Sequence, residues 1–495
     1  MKKILVLLLA LAMLAGVFSA CGPAETEDKL DSDTVETAAP EETVDQNYVP
    51  EFPDVFYGND SETDFNILCE NVFWGTTDQF FVEEDSDDPV VSAVYNRMLV
   101  IKEQFGVDIT VAGSANTTSD LRSNENSGAA DYDAIVGRMP LIASSAAEGL
   151  LTDLYDVETL NLKKHYWDQY ANGQLSMGGK LYYTIGDIIT TDDNATWTMM
   201  FNKKLAANYD LEDLYQVVRE GRWTFDYFYK VITETNASFD VNGDGERNHL
   251  DSYAFATHMD MGYGFFYAAG LSFVSKDGND IPVLTTSSNS EKILDVLEYS
   301  VKVMRENNLT LDAHKWVHIN PQAHILIADA FKEDRALFFC EVLSTIIGFR
   351  EMDTDFGIIP LPKYNEQQAN YTTFVNPAAS LVGIPKSMYE KDGGERSGVI
   401  LEALAYYGYK MISPAYYDKA IEGQSTRDYE SLEMLEIILK NRTYDLGLVN
   451  QWGDIPGAYN QLVFQGKTDY ASMIGKNAKK AEKALAKFLD KLGLD

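Results

Sequence analysis

The chain has 495 residues, 45% hydrophobic and 12% aromatic, enough to build sizeable cores in two or three lobes. Its formal net charge is −37, from 77 Asp and Glu against 40 Lys and Arg. A surface that acidic repels phosphate backbones and anionic headgroups, which argues against nucleic acid as a partner and against lying flat on a membrane.

The N-terminus is basic at Lys2 and Lys3, apolar from Ile4 to Val17, and small at Ser19 and Ala20 just ahead of Cys21. This is the layout of a secretory signal, and the run is too short for a permanent span. With Gly22 after the cysteine, the segment resembles a bacterial lipoprotein signal. That resemblance implies removal of residues 1–20, lipidation of Cys21, and a mature protein on the extracellular face of the cell membrane, anchored by acyl chains. The other reading is an ordinary signal with a chance cysteine. Residues 21–63 are acidic, with few large apolar side chains, and are expected to form a disordered tether.

The folded body is expected from Asp64. The run FNILCENVFW reads as a buried strand ended by Gly75, and apolar spacing predicts a helix over Pro89–Phe105 stopped by Gly106. VDITVAG and YDAIVGRMP read as further strands, with a helix over Leu141–Glu148 behind them. Alternating strands and helices point to a parallel sheet covered on its faces. Next come two extended runs, LYYTIGDIIT and TWTMMFN, and then helices, among them Ser290–Asn307. Thr224 caps one of them, and Trp223 beside it reads as core. Strand-like ALFFCEVL and DFGIIPLPKY follow, and helices close the chain. The last helix pairs an apolar face (Ala481, Leu485, Phe488, Leu492) with a lysine face that reads as solvated. Cys69 and Cys340 lie in apolar strand runs, either paired or as buried thiols.

Several pieces in this order carry a resemblance. They include YDAIVGRMP with EGLLTDLYD, GKLYYTIGD ahead of MMFNKKL, GRWTFDYFYKVIT, FGIIPLPKYNEQQANY, ASLVGIPKS and SPAYYDKAI. From about residue 64 to 495 the chain is similar to the extracellular solute-binding proteins of ABC importers, in the maltose-binding-protein-like group. The resemblance implies an α/β, two-lobe periplasmic-binding-protein-like fold (type II). Each lobe would be a mixed sheet flanked by helices, joined to the other by hinge strands. It implies lobe 1 from residues 64–187 with 330–378, lobe 2 from 188–329 with 379–495, and closure by hinge bending on a ligand held between them.

The loop DVNGDGERNHLD has calcium-loop spacing. Asp240, Asn242, Asp244, Asn248 and Asp251 fall at positions 1, 3, 5, 9 and 12, Glu246 offers its carbonyl at 7, and Gly245 allows the turn at 6. Hard oxygen donors at this spacing suit structural Ca²⁺. Position 12 is Asp rather than the longer Glu, and Arg247 at position 8 speaks for a lone loop rather than a sensor pair. The other reading is a polar turn without metal.

Sugars are held by aromatic platforms beside carboxylate, amide and guanidinium groups. Candidates at strand ends and lobe crossings are Trp74, Asp78, Arg138, Asp187, Trp197, Tyr263, Glu341, Asn376 and Trp452. The expected function is capture of a carbohydrate, an oligosaccharide, for ABC transporter permease subunits, with no catalysis. A secreted carbohydrate-active enzyme and a lipoprotein binding a peptide or other non-sugar solute are the alternatives. His314 and His318 are four apart but lack the HExxH glutamate, and read as surface or helix-end residues.

Overall fold

The computed structural model describes residues 48–59, 63–71, 76–241, 243–285, 290–306, 308–349, 352–421 and 429–494. The signal segment with Cys21, most of the tether, Trp74 and Asn242 lie outside the described residues. The compact body begins at Pro50, earlier than the tether reading placed it. The reason is aromatic: Phe52 packs edge-on against Phe105 at 5.4 Å and stacks near Tyr407 at 6.4 Å.

In chain order, β1 (Asp64–Glu70), β2 (Asp108–Ser114) and β3 (Ala134–Arg138) alternate with helices Pro89–Phe105, Thr117–Ser127 and Met139–Ala147. Then come β4 (Trp197–Asn202), β5 (Tyr253–Thr257), β6 (Thr310–Asp312), β7 (Ala336–Val342) and β8 (Phe356–Ile359). The short β9 (Thr373–Phe374), β10 (Ser380–Gly383) and β11 (Arg442–Thr443) complete the set used below. The Pro89–Phe105 helix shows why the sequence bounds it sharply. Asp88 accepts from the amides of Val90 and Val91, Pro89 fits the first turn, and Gly106 ends the helix at φ +69°. The pairing expected of LYYTIGDIIT is reduced to isolated bridges such as Thr184 with Val382.

The first sheet has the order β10-β3-β1-β2, with β1 parallel to β2 and β3, and β10 antiparallel to β3. The second has the order β8-β4-β7-β5-β6, with β5 parallel to β6 and β7, and β4 antiparallel to β7 and β8. Every residue of β4 is buried, as a strand covered on both faces requires. Trp223 is likewise buried, and its Nε1 donates to the Pro360 carbonyl at 2.9 Å. Cys69 and Cys340 are buried free thiols, one in each sheet.

The chain passes from the first sheet to the second through residues 190–196 and returns through 375–379. The two passes touch: Thr196 bridges Val375, and the Asn376 amide donates to the Ala195 carbonyl at 3.0 Å. This corrects the lobe boundaries. β7 and β8, within 330–378, pair in the second sheet, and β10, within 379–495, pairs in the first. The helix Glu395–Tyr407 also sits on the first lobe, where buried Arg97 donates to the Leu404 carbonyl at 3.2 Å. Apolar periodicity identifies a buried strand but not the sheet that receives it, because pairing is a long-range choice.

Candidate functional site

Strands β5 and β7 are parallel, so their carboxyl ends share one edge of the second sheet, where open α/β sheets bind ligands. Just beyond β5, the Asp260 carboxylate accepts from Asn376 Nδ2 at 3.4 Å and from Asn460 Nδ2 at 3.3 Å, and lies 3.7 Å from His258 Nδ1. Three distant segments thus meet at one carboxylate: the loop after β5, the return pass, and the helix Ile455–Gln465. Burial raises the pKa of Asp260 and of Glu341 at the end of β7, while His258 pulls both back down. Asn460 Oδ1 is buried and has no hydrogen-bond donor. Its approach requires glycine at 262, where a Cβ would lie 2.2 Å from that oxygen. Tyr263, half-buried, stands 6.0 Å from the Phe374 ring, edge to face.

The first sheet contributes an ion pair at the end of β3. Arg138 donates from its amide and from Nε to the fully buried Glu70 carboxylate, both at 2.8 Å, and leaves 38% of its own side chain exposed. The return pass joins this pair to the Asp260 cluster. Met139 N donates to the Ala379 carbonyl at 3.0 Å, and Ala379 N to the Asn376 carbonyl at 2.9 Å. Guanidinium, amide, carboxylate and phenol groups in this arrangement can donate to and accept from a polyhydroxylated solute.

The remaining sequence candidates are placed differently. Asp78 is exposed and accepts from Thr77 Oγ1 at 3.2 Å. Trp197 is wholly buried and stacks on Phe374 at 5.2 Å, so it offers no free face to a ligand. Trp452, 6% exposed, packs edge-on to Phe488 at 5.2 Å and lines a separate cavity of about 270 Å³ with Pro140 and Lys487. Both were candidates for platforms; Phe374 covers the Trp197 ring, and Trp452 packs on Phe488 away from the Asp260 cluster. His258, Asp260 and Asn460 were missed. The signal for the first two was a histidine and an aspartate, His258 and Asp260, directly after a buried strand; Asn460 gave none.

Asp187 is half-buried, accepts from Ser413 Oγ, and has its pKa pushed up to about 7, chiefly by burial. It adjoins a buried charge centre. Arg442 donates at 2.9 Å to each of Asp168, Asp192 and Asp193. Tyr417 and Tyr444 hydroxyls add donors to the same carboxylates. Burial also raises Asp192 and Asp193 and takes Asp445 to about 6. A carboxyl with a raised folded-state pKa binds its proton before the unfolded chain does. Stability should therefore fall as pH climbs from about 4 to 7 and level off above. Urea unfolding should give a higher midpoint at pH 5 than at pH 8; a midpoint that rises toward pH 8 would contradict the burial of these groups.

In the loop Asp240–Asp251, Asp240 accepts from the amides of Gly243 and Gly245, each at 2.7 Å, and Gly245 has φ +82°. Asp244 accepts from Glu246 N at 2.8 Å. Asp251 accepts from Val241 N at 3.1 Å and Asn248 N at 2.7 Å, and Asn248 Oδ1 from Leu250 N at 2.9 Å. Among the described residues no three His, Cys, Asp or Glu side chains converge as a metal site. Backbone amides of the loop thus engage these carboxylates, so the oxygens are of the hard type that Ca²⁺ takes but are arranged by the turn rather than around a cation.

No protein-family model matches the sequence, and no curated protein matches it. Solved structures do match, at low identity over most of the chain. An ABC substrate-binding protein from Listeria monocytogenes in complex with cycloalternan is 12% identical, with 88% of this chain and 100% of that chain covered, at TM-score 0.51. The maltose-binding periplasmic protein from Listeria monocytogenes in complex with maltose is 16% identical, with 88% and 99% covered, at TM-score 0.51. A Mycobacterium tuberculosis protein in complex with glycerophosphocholine is 14% identical, with 88% and 99% covered, at TM-score 0.52. No helix among the described residues is long and apolar enough to cross a membrane. The chain therefore has the two-lobe α/β fold of the maltose-binding-protein-like solute-binding proteins.

Proposed function

We propose that this chain is an extracellular solute-binding lipoprotein that captures a carbohydrate, an oligosaccharide, and delivers it unaltered to an ABC permease. The observation that carries the reading is the meeting of Asp260, Asn376 and Asn460 at the carboxyl edge of the second sheet, joined through the return pass to Arg138. Proteins of the same fold were solved with cycloalternan and with maltose, and they are binding proteins, which supports a sugar and no turnover. The neighbour solved with glycerophosphocholine supports a second reading, a non-sugar solute. Calorimetric titration with oligosaccharides, peptides and glycerophosphodiesters, with product analysis, tests both. Saturable binding of a sugar without product supports the first; sugar products would replace it with an enzyme.

The anchor rests on the lipoprotein-like segment at Cys21. Replacing Cys21 by serine should release the protein from membranes into the medium; retention would refute lipidation. Calcium at Asp240–Asp251 rests on the oxygen spacing. A chelator should lower the melting temperature, and added calcium should restore it. Asp240→Ala should abolish that response, whereas a wild-type melt that ignores the chelator would remove calcium from the account.

A further inference from the structure

The last helix, Tyr470–Leu492, turns Ala481, Leu485, Phe488 and Leu492 into the core and sends six lysines the other way. Lys476, Lys479, Lys480, Lys483, Lys487 and Lys491 are all exposed. At about 3.6 residues per turn they fall within about 120° of the helix surface, along about 22 Å of its axis. Only two acids, Glu482 and Asp490, interrupt that stretch. Among the described residues none of the six lysines forms an ion pair. Lys491 acts on one acid, Glu148, whose pKa is lowered chiefly by the Arg122 bonded to it and in part by Lys491.

This arrangement works against the helix. Four pairs of these lysines stand four residues apart, where like charges repel. The chain carries 77 Asp and Glu, yet this face stays uncompensated on a protein of net charge −37. A fixed positive face of this extent complements an extended anionic surface. Its surroundings favour lipid over an acidic protein. A cavity of about 270 Å³ between this helix and Met139–Ala147 has Pro140, Ala143, Trp452 and Phe488 in its wall, with the exposed Lys487 and Lys491 also lining it. Ammonium groups beside an apolar cavity suit an amphiphile, whose phosphate meets the charges while its apolar part is covered.

We propose that this lysine face docks on an anionic phospholipid bilayer, whose phosphates act as the counterions of the six ammonium groups. The same bilayer repels the acidic remainder of the surface, so contact is confined to this helix and fixes which side of the body faces the membrane. The face stands or falls separately from the sugar reading and from lipidation at Cys21. Vesicle co-sedimentation tests it, with the chain from Gly22 onward, which keeps the whole compact body from Pro50 and leaves out the apolar segment and Cys21. The vesicles are phosphatidylcholine alone or an equal mixture with phosphatidylglycerol. Binding to the mixture but not to the neutral vesicles is expected, and high salt should abolish it. Changing Lys479, Lys483 and Lys487 together to glutamine should weaken it about tenfold or more, since each lysine near an anionic bilayer is worth about fivefold. These side chains are exposed, so the melting temperature should stay at the wild-type value. No binding to the mixture at low salt, equal binding to neutral vesicles, or an unchanged affinity in the triple variant would overturn the proposal. Binding to polyglutamate but not to the vesicles would also overturn it and assign the face to an acidic protein.

Discussion

Replacing Arg442 by alanine should lower the apparent stability of the protein by about 3–5 kcal/mol, the range found when one partner of a buried ion pair is removed. The guanidinium is only 12% exposed and donates at 2.9 Å to Asp168, Asp192 and Asp193. Those carboxylates come from the cap of one helix and from the first pass between the lobes, so one cation holds together segments that are separate in the chain. Without it, three acids would share an enclosed wall and would have to protonate to remain there. The deficit of Arg442→Ala, measured by urea unfolding, should therefore be smaller at pH 5 than at pH 8. A loss below about 1 kcal/mol, of the size seen for exposed pairs, would mean that solvent already screens the centre.

Asp260→Ala should weaken solute binding by about 10- to 100-fold, the cost of roughly 1.5–3 kcal/mol for losing a charged acceptor. Its carboxylate holds Asn376 and Asn460, which approach from different parts of the chain, so its loss frees both amides as well as removing an acceptor. Gly262→Ala should act in the same direction without touching a charge, because its Cβ would displace Asn460 from 2.2 Å. Calorimetric titration with the best-binding solute of the panel measures both. An affinity within threefold of wild type in each variant would move the binding site away from the Asp260 cluster.

Much of the fold was legible where local chemistry decides it. The helix Pro89–Phe105 announces itself by Asp88, Pro89 and Gly106, and Trp223 and Thr224 took the positions read for them. The sheet memberships of β7, β8 and β10 were not legible. Those strands are mostly apolar, and only hydrogen bonding to partners more than a hundred residues away assigns most of them. The site divides along the same line. Tyr263, Glu341 and Asn376 follow strands or crossings, and the structure places them along the edge that carries Asp260. Asn460 sits inside a helix with no local mark of its role, and Trp197 looks like a platform until its neighbours bury it. Arg442 was not singled out in the sequence, since its three carboxylate partners lie some 250 residues earlier in the chain.

The central claim is that two lobes joined by these passes close on a solute. Small-angle X-ray scattering of the purified protein, with and without a saturating concentration of the tightest-binding oligosaccharide, tests it most directly. The account predicts a smaller radius of gyration with the sugar, recovered on its removal, with the sugar returned chemically intact. Identical scattering curves at full saturation, or a sugar returned cleaved, would contradict it.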